Sequence, residues 1–312
     1  MNFMLLDSNA YKFTQDMMDY WKSQGHQIDY NIHYHPDRND WADVIWFDTA
    51  DNNIIQATTN EAIKLQKYNL ESKHIIVRPI DIEVWAGIYK NIDWTPVTDI
   101  IFPSPHIKDM MLPDIPSHIR QHDIPYGVNM DRFTFRDKPR GKKIAWVTRR
   151  WSAKGKEYAL QIALKLKKMN PEYKIYALGV DDYGSWEAKY FEYFIAKNHI
   201  DNIVWEEHTD DMNAWLENKD FALCCSKKET FSYAIAEGMC KGLKPVIHNF
   251  LGADKIWDSK YIWNSIDDAI YMLTSGDFNP QEYRNYVERY SLTKMMERIN
   301  NEVLSNNSNP TQ

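Results

Sequence analysis

Two carboxylates and a pair of lysines crowd one short stretch of this chain. In SKKETFSYAIAEGM, residues 226–239, Glu229 and Glu237 stand eight positions apart, Lys227 and Lys228 come just before them, and Thr230 and Ser232 sit where a helix should begin. A carboxylate accepts hydrogen bonds from paired sugar hydroxyls, and a helix N-terminus with its unpaired N–H groups and positive dipole end holds phosphate. With Thr230 or Ser232 as the cap, the helical rise puts the two glutamates on the order of 12 Å apart. That is about the length from a sugar ring across a diphosphate to a ribose. Two glutamates around a helix start also occur on ordinary solvated surfaces, so the pattern alone leaves both readings open.

A second basic loop lies upstream. WVTRRWSAKG, residues 146–155, carries Arg149, Arg150 and Lys154 after an apolar run. At the carboxyl end of a strand, an arginine can fork onto two phosphate oxygens while a lysine adds a point charge. A diphosphate is the guest that such a loop fits, although taken alone the loop also reads as ordinary solvated charge.

These residues need a scaffold that brings strand ends together. FMLLD reads as a strand and YKFTQDMMDYWKSQG as an amphipathic helix stopped by Gly25. HQIDYNIHY, ADVIWFD, KHIIVRPI and DIIFPS read as further strands, and NEAIKLQKYNL as a helix. After PYGVNMDRFTFRDKPRGKK, a linker rich in Pro, Gly and charge, the alternation restarts. Strands at KIAWVTRR, YKIYALG, NIVWEE, FALCCS and KPVIHN alternate with helices at KEYALQIALKLKKMN, WEAKYFEYFIAKNH, MNAWLENK and SYAIAEGMCKG. The expected class is α/β, with two doubly wound parallel sheets. Ligands of such sheets bind beyond the carboxyl ends of the strands, here in a cleft that the two domains face. The domains are expected at residues 1–130 and 131–305, followed by a disordered polar tail at 306–312.

The bulk numbers agree with that size. A chain of 312 residues accommodates two ordinary domains, and 44% hydrophobic with 14% aromatic content supports a core in each. Three cysteines, Cys224, Cys225 and Cys240, match neither a disulfide framework nor a zinc site. With no signal peptide or long apolar run, a cytoplasmic protein is expected. Residues 1–130 hold 10 Lys and Arg against 18 Asp and Glu, while the remainder holds 27 against 26. An acidic first half weighs against nucleic acid and anionic membranes as partners.

The run SKKETFSYAIAEGMCKGLKPV resembles the Glu-x7-Glu signature of retaining glycosyltransferases of GT-B architecture, family 4 in particular. VTRRWSAKG resembles that family's Gly-Arg-Leu-x-x-x-Lys-Gly segment, with Thr148 where glycine is usual. YGVNMDRF at 126–133 resembles its Asn-Gly-Val-Asp-x-x-x-Phe hinge, departing at Tyr126 and Asn129, and YRNYVERYSLTKMMERINNEV resembles its terminal helical segment. The resemblance implies a GT-B fold and a hexosyltransferase that uses a nucleotide sugar, UDP-glucose ahead of GDP-mannose, with retention of configuration. Arg149 and Lys154 would hold the donor diphosphate and Glu229 the hexose hydroxyls. Glu237 would hold the ribose, and the backbone N–H groups of Phe231, Ser232 and Tyr233, with Thr230 beside them, the distal phosphate. The implied reaction is front-face and needs neither metal nor other cofactor.

The first half matches that family only in layout. DSNAY stands in place of a glycine-rich loop, so Ser8 and Asn9 are the candidates for that donor contact. Asp48, Arg78, Asp81 and Glu83 are candidates for the sugar or acceptor side, with capping, turn and surface charge as the alternatives. His33, His35 and His106 read as exposed loop residues that could also meet the acceptor. A carbohydrate acceptor is favoured over DNA or an anionic lipid. The composition, rich in Asn, Lys, Ile and Tyr, suits a small bacterium or a virus, and a viral origin would make the cytoplasm that of the host. Two other classes compete: a catalytically silent nucleotide-sugar or glycan-binding protein of the same fold, and an isomerase or epimerase acting on nucleotide sugars.

Overall fold

Strands that are apolar on both faces must be covered on both faces, and the runs FMLLD, VIWFD and HIIVR are of that kind. The computed structural model describes residues 1–7, 11–31, 41–48, 73–80, 84–91, 94–148, 152–179 and 186–305. These fall into two units, Met1–Gly127 with Leu292–Gln312, and Val128–Ser291.

The first unit carries β1 (Asn2–Asp7), β2 (Gln27–Asn31), β3 (Val44–Asp48), β4 (His74–Arg78), β5 (Asp99–Phe102) and β6 (Arg120–Asp123). They pair in parallel in the order β2-β1-β3-β4-β5-β6. Successive residues of a strand point to opposite faces, so Phe3 and Leu5 belong to one core layer and Met4 and Leu6 to the other. The first layer is completed by Met17, Met18 and Trp21 of the helix Tyr11–Ser23. The second includes Ile107 and Met111 of the helix Pro105–Met111.

The end of the chain also joins the first layer. Met295, Met296, Ile299 and Val303, from the helix Leu292–Arg298 and the π-helical turn Ile299–Leu304, pack with Phe3, Leu5, Trp21 and Trp46. The sequence reading kept residues 131–305 in the second domain, whereas the chain returns to the first unit at Leu292. An apolar face at Met295, Met296 and Ile299 announces burial but not the sheet that covers it. The expected helix at 60–70 and the tail at 306–312 lie outside the described residues.

The second unit carries β7 (Lys143–Val147), β8 (Lys174–Leu178), β9 (Ile203–Glu206), β10 (Phe221–Cys224), β11 (Lys244–His248) and β12 (Ile262–Trp263). Their order, β12-β11-β10-β7-β8-β9, is the Rossmann order, with every pair parallel. Phe221, Leu223 and Cys225 share a core layer with Leu160, Ala163 and Leu166 of the helix Lys156–Met169. On the opposite face Gly238 brings the helix Tyr233–Cys240 against the strand. A Cβ at position 238 would lie 2.6 Å from the Cβ of Ala222. β6, β12 and the helix Ile266–Thr274 lie outside the elements expected from the sequence. RQHD is charged and IW spans two residues, so neither shows a strand's apolar run. Among the described residues no helix is long and apolar enough to cross a membrane.

Candidate functional site

The order in which strands are added reverses between β7 and β10 in the sheet of the second unit, and ligands of open α/β sheets sit beyond the carboxyl ends of the strands at such a switch point. The segments following these two strands are the ones that carry the candidate charges. After β7 the described chain resumes at a 3-10 turn, Ser152–Lys154, which leads through Gly155 into the helix Lys156–Met169. After β10 comes Ser226–Ser232, ahead of the helix Tyr233–Cys240.

The two segments are locked to each other. The Lys154 Nζ lies 2.5 Å from the Glu229 Oε1, with the side chains 27% and 15% exposed, so the pair is held yet still within reach of a ligand. Ser226 Oγ donates to the same Glu229 oxygen at 2.6 Å. The Lys227 backbone N–H donates to the Ala153 carbonyl at 2.8 Å, and Lys227 Nζ lies 2.6 Å from Glu157 Oε1. Gly155 makes this approach possible: its φ is +62°, and a Cβ there would lie 1.9 Å from the Cys225 carbonyl oxygen. Ser226 has its own support. The His248 Nδ1 lies 2.8 Å from the Ser226 carbonyl oxygen.

The helix start differs from the expectation in two ways. Ser232 occupies the N-cap position in the left-handed region, with φ +74°, and its side chain makes no capping hydrogen bond. Neither Ser232 nor Thr230 therefore closes the helix start with a hydroxyl cap; Thr230 is buried instead. The helix begins at Tyr233, so Glu237 lies about one turn inside it and Glu229 is in the preceding loop. The spacing estimated from helical rise does not apply across 229–232. Phe231 is buried against Trp257, Tyr233 and Tyr290, which fixes the turn that carries its backbone N–H.

The cysteines beneath this loop are free and buried. Burial pushes the Cys224 thiol up to about 11 and the Cys240 thiol up to about 12, and it raises that of Cys225 as well. All three stay protonated near neutral pH and behave as small apolar groups. Burial also pushes the His248 imidazole below the ordinary histidine range, against the raising effect of its bond to Ser226.

In the first unit, Asp48 and Arg78 end the neighbouring strands β3 and β4 in register. They are 5% and 1% exposed and hold each other: Arg78 Nε donates to Asp48 Oδ1 at 3.1 Å, and a second guanidinium nitrogen donates to Asp48 Oδ2. The guanidinium lies over the rings of Tyr126 and Trp46, at 4.8 and 5.6 Å. Both were candidates for the sugar or acceptor side; the structure gives them to a buried, bidentate, stacked ion pair within the unit. His106, expected as an exposed loop residue, is buried at the start of the helix Pro105–Met111. Ser8, Asn9, Asp81, Glu83, Arg149, His33 and His35 lie outside the described residues.

Sequence reasoning missed Ser226 and His248. The Ser-x-x-Glu spacing at 226–229 was a usable signal, since a serine three residues before a glutamate can reach its carboxylate. His248 carried none, because its partner lies across a strand pairing.

A family model described as Glycosyl transferases group 1 matches residues 130–264, within the second unit. No curated protein matches the sequence. Among solved structures, the chain is similar to Anabaena Alr3699/HepE in complex with UDP and glucose, with a TM-score of 0.76 and 12% identity over 98% of this chain and 100% of that one. It is similar to a glycosyltransferase from Rickettsia africae ESF-5, with a TM-score of 0.71 and 14% identity over 99% of each chain. It also matches the pneumococcal O-GlcNAc transferase GtfA in complex with UDP and GlcNAc, with a TM-score of 0.62 and 13% identity over 85% of this chain and 57% of that one. These likenesses show the fold: two Rossmann-like α/β domains of GT-B type.

Proposed function

We propose that this protein is a retaining glycosyltransferase that moves a hexose, glucose from UDP-glucose first among the donors, onto a hydroxyl acceptor, with a carbohydrate favoured. The observation that carries the reading is the Lys154, Ser226 and Glu229 array at the switch point of a Rossmann sheet, directly ahead of a helix start. The match of residues 130–264 to the group 1 family supports glycosyl transfer, and the UDP held by two similar structures supports a uridine donor.

In this reading Lys154 faces the donor diphosphate. An ammonium has three donors, so it can keep Glu229 while reaching a phosphate oxygen. Glu229 takes the hexose hydroxyls, Glu237 the ribose hydroxyls, and the backbone N–H groups around Phe231 to Tyr233 the distal phosphate, with Arg149 as a further cation. The bond between the sugar C1 and the phosphate oxygen breaks, and its electron pair stays on that oxygen. The departing phosphate accepts the acceptor's hydroxyl proton while the new bond forms on the same face of the sugar. Lys154 and the helix dipole stabilise the charge that develops on the leaving group, and no metal is assigned a role.

The test is incubation without added metal with UDP-glucose, UDP-galactose, UDP-GlcNAc and GDP-mannose in turn, following release of nucleoside diphosphate, with Glu229→Ala as the control. Release from one donor that the variant abolishes supports the reading and names the donor. Donor binding without turnover across a panel of sugar acceptors refutes it and assigns a silent binder.

A further inference from the structure

We infer that His248 is a positioning residue for the donor hexose, acting through Ser226 to set the orientation of Glu229; this rests on the proposed role of Glu229 as the group that holds the sugar. A carbonyl oxygen only accepts hydrogen bonds, so the 2.8 Å contact between His248 Nδ1 and the Ser226 carbonyl requires the proton on Nδ1. Ser226 is buried, and its hydroxyl donates to Glu229 Oε1 at 2.6 Å. The bond from His248 therefore fixes the backbone from which that hydroxyl is aimed.

The imidazole is itself fixed. β10 and β11 pair with Cys224 opposite Ile247, so His248 leaves the end of β11 beside the first residues after β10. Its ring centroid lies 4.5 Å from that of Trp263 on β12 and 4.8 Å from that of Tyr158. Tyr158 is the residue whose ring a Cβ at Gly155 would approach to 3.0 Å, so the same aromatic side chain borders the Lys154 turn. The carboxylate is thus supported from two sides: Lys154 on the β7 side, and Ser226 backed by His248 on the β11 side. A ligand-gripping carboxylate held by locked neighbours is worth more than one left to choose among rotamers.

Protonating the ring leaves its Nδ1 donor in place, so substitution is a sharper probe than pH. Asparagine can present a side-chain N–H near the position of Nδ1, whereas phenylalanine keeps the stacking and cannot donate. Calorimetric binding of UDP and UDP-glucose, and of GDP and GDP-mannose, is compared across wild type, His248→Asn and His248→Phe, alongside donor turnover. For the donor that the wild type uses, His248→Phe should weaken sugar-nucleotide binding and turnover about 10-fold, from a partial displacement of the hexose contact. It should leave the free nucleotide's affinity unchanged, and His248→Asn should recover most of the loss. Equal losses for nucleotide and sugar nucleotide, or wild-type turnover in His248→Phe, overturns the inference. If wild type itself shows no preference for a sugar nucleotide over its nucleotide, and Lys154→Ala leaves turnover intact, the reading of the whole site falls with it.

Discussion

Replacing Gly155 by alanine tests the junction on which the site depends. Two costs arise together. The residue sits at φ +62°, where an L-side chain costs about 1–2 kcal/mol. The added Cβ would also stand 1.9 Å from the Cys225 carbonyl oxygen, against an ordinary C···O approach of roughly 3.3 Å. The loop must then retreat by more than about 1 Å, since backbone atoms cannot rotate out of the way as a side chain can, and overpacking of this kind costs about 1–3 kcal/mol. A combined loss of roughly 3 kcal/mol lowers the Tm of a domain of this size by about 6–12 °C. Cys225 precedes Ser226, so the same retreat pulls Ser226 and Glu229 away from Lys154. A misplacement near 1 Å is enough to reduce turnover about 100-fold. Thermal unfolding by circular dichroism and donor turnover per folded molecule read the two effects separately. An unchanged Tm refutes the packing argument; a lowered Tm with full turnover refutes the claim that this junction aligns the reacting groups.

Lys154→Ala should reduce turnover by about 100- to 1,000-fold with little change in Tm, the loss expected of a cation facing a departing phosphate; near-normal kinetics would remove it from the donor site. Arg78→Met leaves Asp48 buried without its cation and should cost about 3–5 kcal/mol in urea unfolding, most of which the double variant Arg78→Met, Asp48→Leu recovers. A single variant as stable as wild type would contradict the buried pairing. Asp99, fully buried, accepts from His122 at 2.6 Å, His74 at 2.7 Å and Arg120 at 2.7 and 3.0 Å. Burial raises its carboxyl, but these hydrogen bonds outweigh that and hold it well below the ordinary carboxylate range. Its folded value lies below its unfolded one, so its stabilisation is complete above the unfolded value and is lost as the pH falls through the folded one. Asp99→Asn should lower stability by about 3–5 kcal/mol at neutral pH and flatten its decline below about pH 4, followed by urea unfolding across an acid pH series; an equally steep decline would show that other groups govern it.

The α/β class and the alternation of elements were legible because a parallel sheet covered on both faces needs apolar strands, and FMLLD, VIWFD, HIIVR and FALC announce themselves. Lys154, Glu229 and the helix around Glu237 were legible for a related reason: basic and acidic side chains in the loops that follow apolar runs fall beyond strand ends, where α/β sheets bind ligands. β6 was not, because RQHD lacks an apolar run and is a strand only by pairing with β5. The pairing of Asp48 with Arg78 was not legible either, because each looks like a charge at a strand end, and only the register of β3 with β4 turns them toward each other.

By itself, then, the sequence determined the apolar strands, the amphipathic helices and the charges that follow them, since periodicity and turn chemistry act over a few neighbours. Tertiary structure decided the partners: Glu229 with Lys154, 75 positions away, Ser226 with His248 across a strand pair, and the last helix with the first sheet. Those contacts depend on strand order and register, which are set by the packing of the whole sheet and leave no mark at the positions they join.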